Sequence, residues 1–226
     1  FATGGAERLE IGSSEVVFND PSNDVDFRVE SNGNTHMLFV DGGNDRVGIG
    51  TSSPSRPLSV SSSQISARFT STSADSQIEV VDTSGTVVFG SSSGNAIVQT
   101  GGSEVARIDS NGRLLVGTST ARANFFNSTD AAQLQVEGTD SNNSALSLTR
   151  NSNSTGYAPL HFAKSRGTSV GSNTIVQSGD FLGGVIFSGS DGSEFVTAAA
   201  IHSEVDGTPG SNDMPGRLTF HTTNDG

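Results

Sequence analysis

The sequence predicts an all-β protein of short strands and hairpins, elongated and repeat-containing rather than one globule. Three observations point there. FVDGGNDRVGIGT at residues 39–51 returns in altered form as ARIDSNGRLLVGT at residues 106–118. Both hold an apolar residue, an Asp, a short turn of Gly, Asn or Ser, an Arg, and alternating apolar residues that close on Gly-Thr. The closing glycines, Gly50 and Gly117, lie 67 residues apart, and a period that long filled with strand signals fits stacked β units. Apolar residues elsewhere recur with period two, and no stretch sustains a helical period with caps.

Composition narrows the classes. Only 32% of the 226 residues are hydrophobic, below the ~45–50% usual for globular domains, so one compact core for the whole chain is doubtful. Charged residues are only 16%, and with the apolar residues in tight alternation this argues against disorder. The net charge of −12 disfavours nucleic acid or an anionic membrane as partner, because phosphate binding needs clustered Lys and Arg. No apolar run approaches the ~20 residues of a membrane span. The absence of Cys removes disulfides and thiolate chemistry. The chain opens on Phe1 without Met or a signal-peptide pattern, which leads us to expect a segment of something longer.

In order, residues 8–11 and 15–18 are short strand signals around Gly12-Ser13-Ser14. In residues 24–30, Val25, Phe27 and Val29 alternate with charged side chains, the pattern of a half-buried antiparallel strand. Asn32-Gly33 predicts a type I′ hairpin turn, with residues 35–40 as the return strand. Val47 and Ile49 then alternate with Gly48 and Gly50, a bare strand face that another backbone can approach. Pro54 and Pro57 stop that strand, and the Ser-rich residues 59–63 form a link. Further strands are expected at 65–69, 77–82, 86–89 and 96–100, and at 104–109 with 113–117 across Asn111-Gly112. From Asn127 the chain is rich in Asn, Ser and Thr, with single strands at 133–137 and 145–149. The last section offers strands at 160–163, 184–188, 198–205 and 217–222, and the one helix candidate at 197–201. The expected divisions are an N-terminal β repeat unit (1–60), a second (61–120), a connecting β segment (121–158) and a C-terminal β module (159–226).

Each strand pair offers only two or three apolar side chains on one face, and isolated hairpins of this kind are marginal in water. Stripes such as Val25/Phe27/Val29 or Leu114/Val116 therefore need further partners, and symmetry mates on a common axis would supply them while covering strand edges. Composition does not choose between two, three or more chains.

VGIGTSSPSRPLSV (47–60) and RIDSNGRLLVGTST (107–120) resemble units that recur in the tail fibres of bacteriophages, notably those infecting marine bacteria and cyanobacteria. TIVQSGDFLGGVIFSGSDG (174–192) and VDGTPGSNDMPGRLTFHTTNDG (205–226) resemble another section of the same fibres. The resemblance covers most of the chain. It implies a homotrimeric, β-structured fibre, intertwined or stacked, located on the virion tail. Its expected partners are other copies of itself, other virion tail proteins and a host cell-surface glycan or protein receptor. The family pattern would run on past Asn224-Asp225-Gly226, and such fibres often end in a self-cleaving chaperone domain that nothing here resembles.

Several constellations have bland readings. Asp41-Gly42-Gly43-Asn44-Asp45 occurs once and out of the nine-residue register of calcium-binding β-rolls, so it reads as a turn. Gly48-Ile49-Gly50 lacks the helix a dinucleotide fingerprint needs, since Ser53 and Pro54 follow. The histidines His36, His161, His202 and His221 lack metal-ligand spacing, and His161 and His221 should point away from the apolar face. Singly, exposed polar residues read as solvated; together Tyr157, His161, Lys164, Arg166, His202 and His221 are the candidate host-contacting set. Asp180, Asp191, Glu194, Glu204, Asp206 and Asp213 are available for glycosidic cleavage, but most sit in turns that account for them. The chain has no Trp, and Tyr157 is its one tyrosine. The residues read as turn and repeat elements are Asp41, Val47, Ile49, Gly50, Thr51, Asp109, Asn111, Gly112, Leu114, Val116, Gly117 and Thr118.

The expected function is structural and adhesive: a tail-fibre segment that mediates attachment to the host, with no catalysis, cofactor or metal. The alternatives are a polysaccharide-degrading tailspike and a virion decoration protein without host contact.

Overall fold

The computed structural model describes residues 2–3, 6–7, 9–18, 24–125 and 131–224. The predicted start of the first strand at Arg8 lies outside them. Among the described residues the protein is all-β, without helix. Contacts divide it into two compact units, Phe1–Thr70 and Ser71–Gly226.

In the first unit, β1 (Ala2–Thr3) pairs with β2 (Ala6–Glu7), and β3 (Leu9–Ile11) with β4 (Val16–Phe18), both antiparallel. The main sheet runs in the order β5 (Phe27–Val29), β6 (Leu38–Asp41), β7 (Arg46–Ile49), β8 (Leu58–Val60). The β5–β6 hairpin forms, but not through a type I′ turn: neither Asn32 nor Gly33 has positive φ. Instead the Asn34 carbonyl accepts the Ser31 N–H at 2.8 Å, and its side-chain oxygen accepts the His36 N–H at 2.8 Å. A two-residue turn at 32–33 would set Val29 opposite His36. The longer loop sets Val29 opposite Leu38 and Phe27 opposite Val40, which brings apolar side chains together on one face.

Strand β8 was not expected. Strand β7 ends at Ile49, ahead of both prolines, and the Pro57 carbonyl accepts the Val47 N–H at 2.8 Å and opens a parallel ladder of Val47 with Leu58 and Ile49 with Val60. Proline lacks a donor, not an acceptor.

The second unit repeats this connection. Its six-stranded sheet runs β9 (Asp75–Asp82), β10 (Gly85–Ser92), β11 (Asn95–Thr100), β12 (Ser103–Ile108), β13 (Leu114–Val116), β14 (Leu134–Val136). The first five strands are an antiparallel meander and β14 is parallel to β13. Leu114 N–H donates to the Gln133 carbonyl at 2.8 Å, as Val47 does to Pro57. After each hairpin comes a glycine of positive φ, 74° at Gly50 and 77° at Gly117. Each lies so close to the next strand that a Cβ there would run into a backbone carbonyl, of Ser61 and of Glu137. The close backbone approach expected at Gly48 and Gly50 is made by the next strand at Gly50, just past the end of β7, and at Gly48 by the Thr51 carbonyl three residues on. The hairpin turns also correspond: Asp45 (φ 56°) and Gly112 (φ 78°) each precede an Arg, Arg46 as the first residue of β7 and Arg113 just ahead of β13.

A three-stranded antiparallel sheet follows, β15 (Phe181–Ser190), β16 (Phe195–Val205), β17 (Gly216–Thr222). Residues 197–201 belong to the central strand rather than a helix, because bonding on both sides overrides the helical preference of the alanines. Residues 65–69, 145–149 and 160–163 are not strands. Alternation shows that a segment has an apolar side; it supplies no partner edge.

The six-stranded sheet buries one face only. Val88, Ile97 and Leu115 are its core, with Leu115 at 0% exposure. Along the other face runs an unbroken row of six side chains, Ile78, Phe89, Val98, Ala106, Val116 and Val136, one per strand. In the first unit Phe27, Val40, Val47 and Leu58 form the equivalent row.

Gly117→Ala is expected to destabilise the protein by more than the ~1–2 kcal/mol of a left-handed backbone alone, since the Glu137 carbonyl must also move. Gly94→Ala, at φ 80° with open space around it, should show only the backbone cost. Urea unfolding of the two variants checks this.

Candidate functional site

The candidate contact residues lie in the C-terminal part of the second unit, where two glycines make room for rings. Gly183 and Gly184 occupy opposite faces of β15. The Phe162 side chain fills the space over Gly183, and the His202 ring fills the space over Gly184. Residues 160–163 therefore lie against the sheet without joining it. His202 also meets Phe181 edge-on at 5.1 Å and His221 at 5.0 Å between ring centroids. Its Nδ1 is buried without a hydrogen-bond partner among the described residues. His221 is exposed and its Nε2 lies 3.0 Å from Thr219 Oγ1. His221 shares a face with Ala200 and Ile186, opposite the face of Phe220.

Lys164 and Arg166 are occupied. Arg166 grips the Asp180 carboxylate with Nε at 2.7 Å and Nη2 at 2.8 Å, and Lys164 Nζ adds a contact at 3.2 Å. The Gln177 N–H donates to the same carboxylate at 2.9 Å. The Arg166 fork, then the backbone donor, hold the Asp180 pKa well below the ordinary carboxylate range, against the opposing effect of burial. The backbone of Asp180 is tied as well: its carbonyl accepts the Val205 N–H at 2.9 Å, and the Val205 carbonyl accepts the Gly179 N–H at 2.8 Å. Tyr157 and His161 are exposed. The structure thus brings His202 and His221 together, gathers Lys164 and Arg166 on Asp180, and joins the two groups through the neighbouring residues Asp180 and Phe181. Asp180 was visible in the sequence as a Gly-Asp turn residue. Nothing in the spacing marked Arg166 as its partner, because the pairing depends on how residues 164–180 fold back.

A second group was missed. Arg122 pairs with Glu137 and lies over the Phe195 ring, 5.2 Å from its centroid, while Phe125 stacks on Phe195 at 5.2 Å. The Gln135 side chain accepts the Arg122 N–H at 2.8 Å. These residues, with Leu134, Val136 and Ile186, line a cleft of about 930 Å³ between β14 and β15. Neither Phe125 nor Arg122 sits in a periodic stretch, so no pattern singled them out.

The carboxylates weighed for glycosidic chemistry are largely committed. Arg217 bonds Glu204 at 2.9 Å and Asp206 at 3.0 Å. Asp191 accepts the N–H groups of Glu194 and Ser193, which lower its pKa. Asp180 and Asp191 are therefore poor proton donors near neutrality. The repeat-unit carboxylates organise turns. Asp41 accepts from the Asn44 N–H at 3.0 Å. Asp109 accepts from the Asn111 and Arg113 N–H groups at 2.9 and 3.0 Å and pairs with the Arg113 guanidinium. Among the described residues no three His, Asp or Glu side chains are gathered to hold a metal ion. Compared with known proteins, the chain matches no protein-family profile and no curated sequence.

Asp180→Asn should lower the melting temperature at pH 7, because Lys164 and Arg166 lose their anion. The folded pKa is lowered, so the wild-type advantage is complete above the ordinary value of 3.8. It closes as the pH falls from there through the folded pKa. Melting curves of both proteins between pH 7 and pH 2 measure the gap; a gap unchanged across that range contradicts the assignment.

Proposed function

We propose that the chain is a segment of a bacteriophage tail fibre: a homotrimeric, repeat-containing structural element of the virion that carries adhesive surface to the host cell. The observation that supports this best is the state of the sheets. Each of the three larger sheets keeps one apolar face in solvent, as a chain completed by its own copies would. Phe220 is 75% exposed and Phe89 51%, and soluble monomers rarely leave large side chains contiguous in this way.

The hairpin, positive-φ glycine and parallel strand seen twice would be the stacking rungs of the fibre. Exposed Tyr157, His161 and His221 would contribute to the contact surface, where many weak contacts on linked copies act together. Lys164 and Arg166 would shape that surface through Asp180 rather than bind directly. Other tail proteins and a surface glycan or protein receptor are the partners this role requires.

Light scattering after gel filtration should give a mass near three times 23.1 kDa, and the labelled protein should bind susceptible host cells and compete with phage adsorption. A stable monomer that ignores those cells would end the reading.

A further inference from the structure

We infer that the apolar face of the six-stranded sheet is a subunit interface, where it meets the same face of the other copies of this chain. This rests on the homo-oligomeric reading above and specifies which surface makes the contact. The row Ile78–Phe89–Val98–Ala106–Val116–Val136 is flanked on the same face by Val80 and Val87, and by Ala96, Ile108, Leu114 and Leu134. These twelve side chains include no charge. The chain already has a core on the opposite face, around Leu115, so this face has no covering role left inside its own sheet.

The area fits an obligate contact. The chain exposes 16771 Å², whereas two compact units of these lengths would expose about 11,000 Å². Obligate interfaces bury about 2,000–5,000 Å² in total, half of it on each chain, so a surplus of more than about 5,000 Å² on one chain leaves ample room for such a contact. Copies of this chain are the occupants because the face recurs. The first unit's sheet presents Phe27, Val40, Val47 and Leu58, with Val29, Leu38, Ile49 and Val60, in the same arrangement. A foreign partner would need an apolar match for each of two separate faces, whereas a copy of this chain carries the match for both. An anionic lipid surface is opposed by the charge of −12. Copies share that charge, which the uncharged faces keep away from the contact.

Strand β9 provides an internal control. Val80 and Val81 are neighbours with similar exposure, 58% and 65%, on opposite faces. Phe89→Lys and Ile108→Lys should abolish the oligomer, and Val81→Lys should leave it intact. Because a chain deprived of its interface can fail to fold, a second measurement keeps the assembly whole. The protein has no Cys, so Phe89→Cys and Val98→Cys each place one thiol on the row and Val81→Cys places one behind it. A short bis-maleimide should link copies through positions 89 and 98 and not through 81. Linking through 81 alone, or equally at all three, overturns the inference. An intact oligomer in both lysine variants also overturns it, while the fibre reading, which depends on the wild-type mass and cell binding, survives that result.

Discussion

The structure depends on a glycine held at positive φ where a hairpin ends. At Gly50 and Gly117 the chain leaves the return strand, and the following strand comes back parallel to it with a backbone carbonyl against the glycine Cα. A side chain at either point would meet strain and carbonyl together. The parallel strand exists because both conditions are met by one residue. Where that strand pairs, the apolar side chains of the hairpin gain a further column on the same face: Leu58 and Val60 in one sheet, Leu134 and Val136 in the other.

Widening the face this way changes what the protein can do. Across six strands, with Phe89 and Ile108 about half exposed, the patch is far larger than the single apolar residues scattered over ordinary surfaces. The opposite face took the other course. Val88, Ile97 and Leu115 are buried within the chain, and ion pairs such as Glu104 with Arg107 lie among partly buried side chains. One sheet thus holds a core on one face and an exposed apolar row on the other.

The C-terminal module is organised differently, around a charge. Asp180 collects the Arg166 guanidinium, the Lys164 ammonium and a backbone N–H in one place, and its own backbone is tied to Val205, the most buried residue of that module at 1% exposure. Two cations that the sequence offers as surface contacts are thereby paired with a buried carboxylate while staying exposed themselves. Their partner lies 14 residues away in the case of Arg166, across a loop without periodicity, which is why side-chain type alone did not show the pairing. The histidines show the same limit: alternation places His221 opposite Phe220, but only the diagonal between β16 and β17 sets its ring beside that of His202.

The sequence by itself determined the all-β class, the two hairpins, the close approach at Gly48 and Gly50, and which side of each strand is apolar. Those properties reside in residue type and period, and a strand's two faces are set before it has a partner. Tertiary structure alone decided the partners. It shifted the β5–β6 register by two residues in favour of Leu38 and Val40. It made a strand of residues 58–60 beyond the prolines, left 65–69, 145–149 and 160–163 outside the sheets, and drew Arg166 to Asp180. Each depends on a neighbour distant in the chain, and period-two alternation is silent about which edge a strand will find.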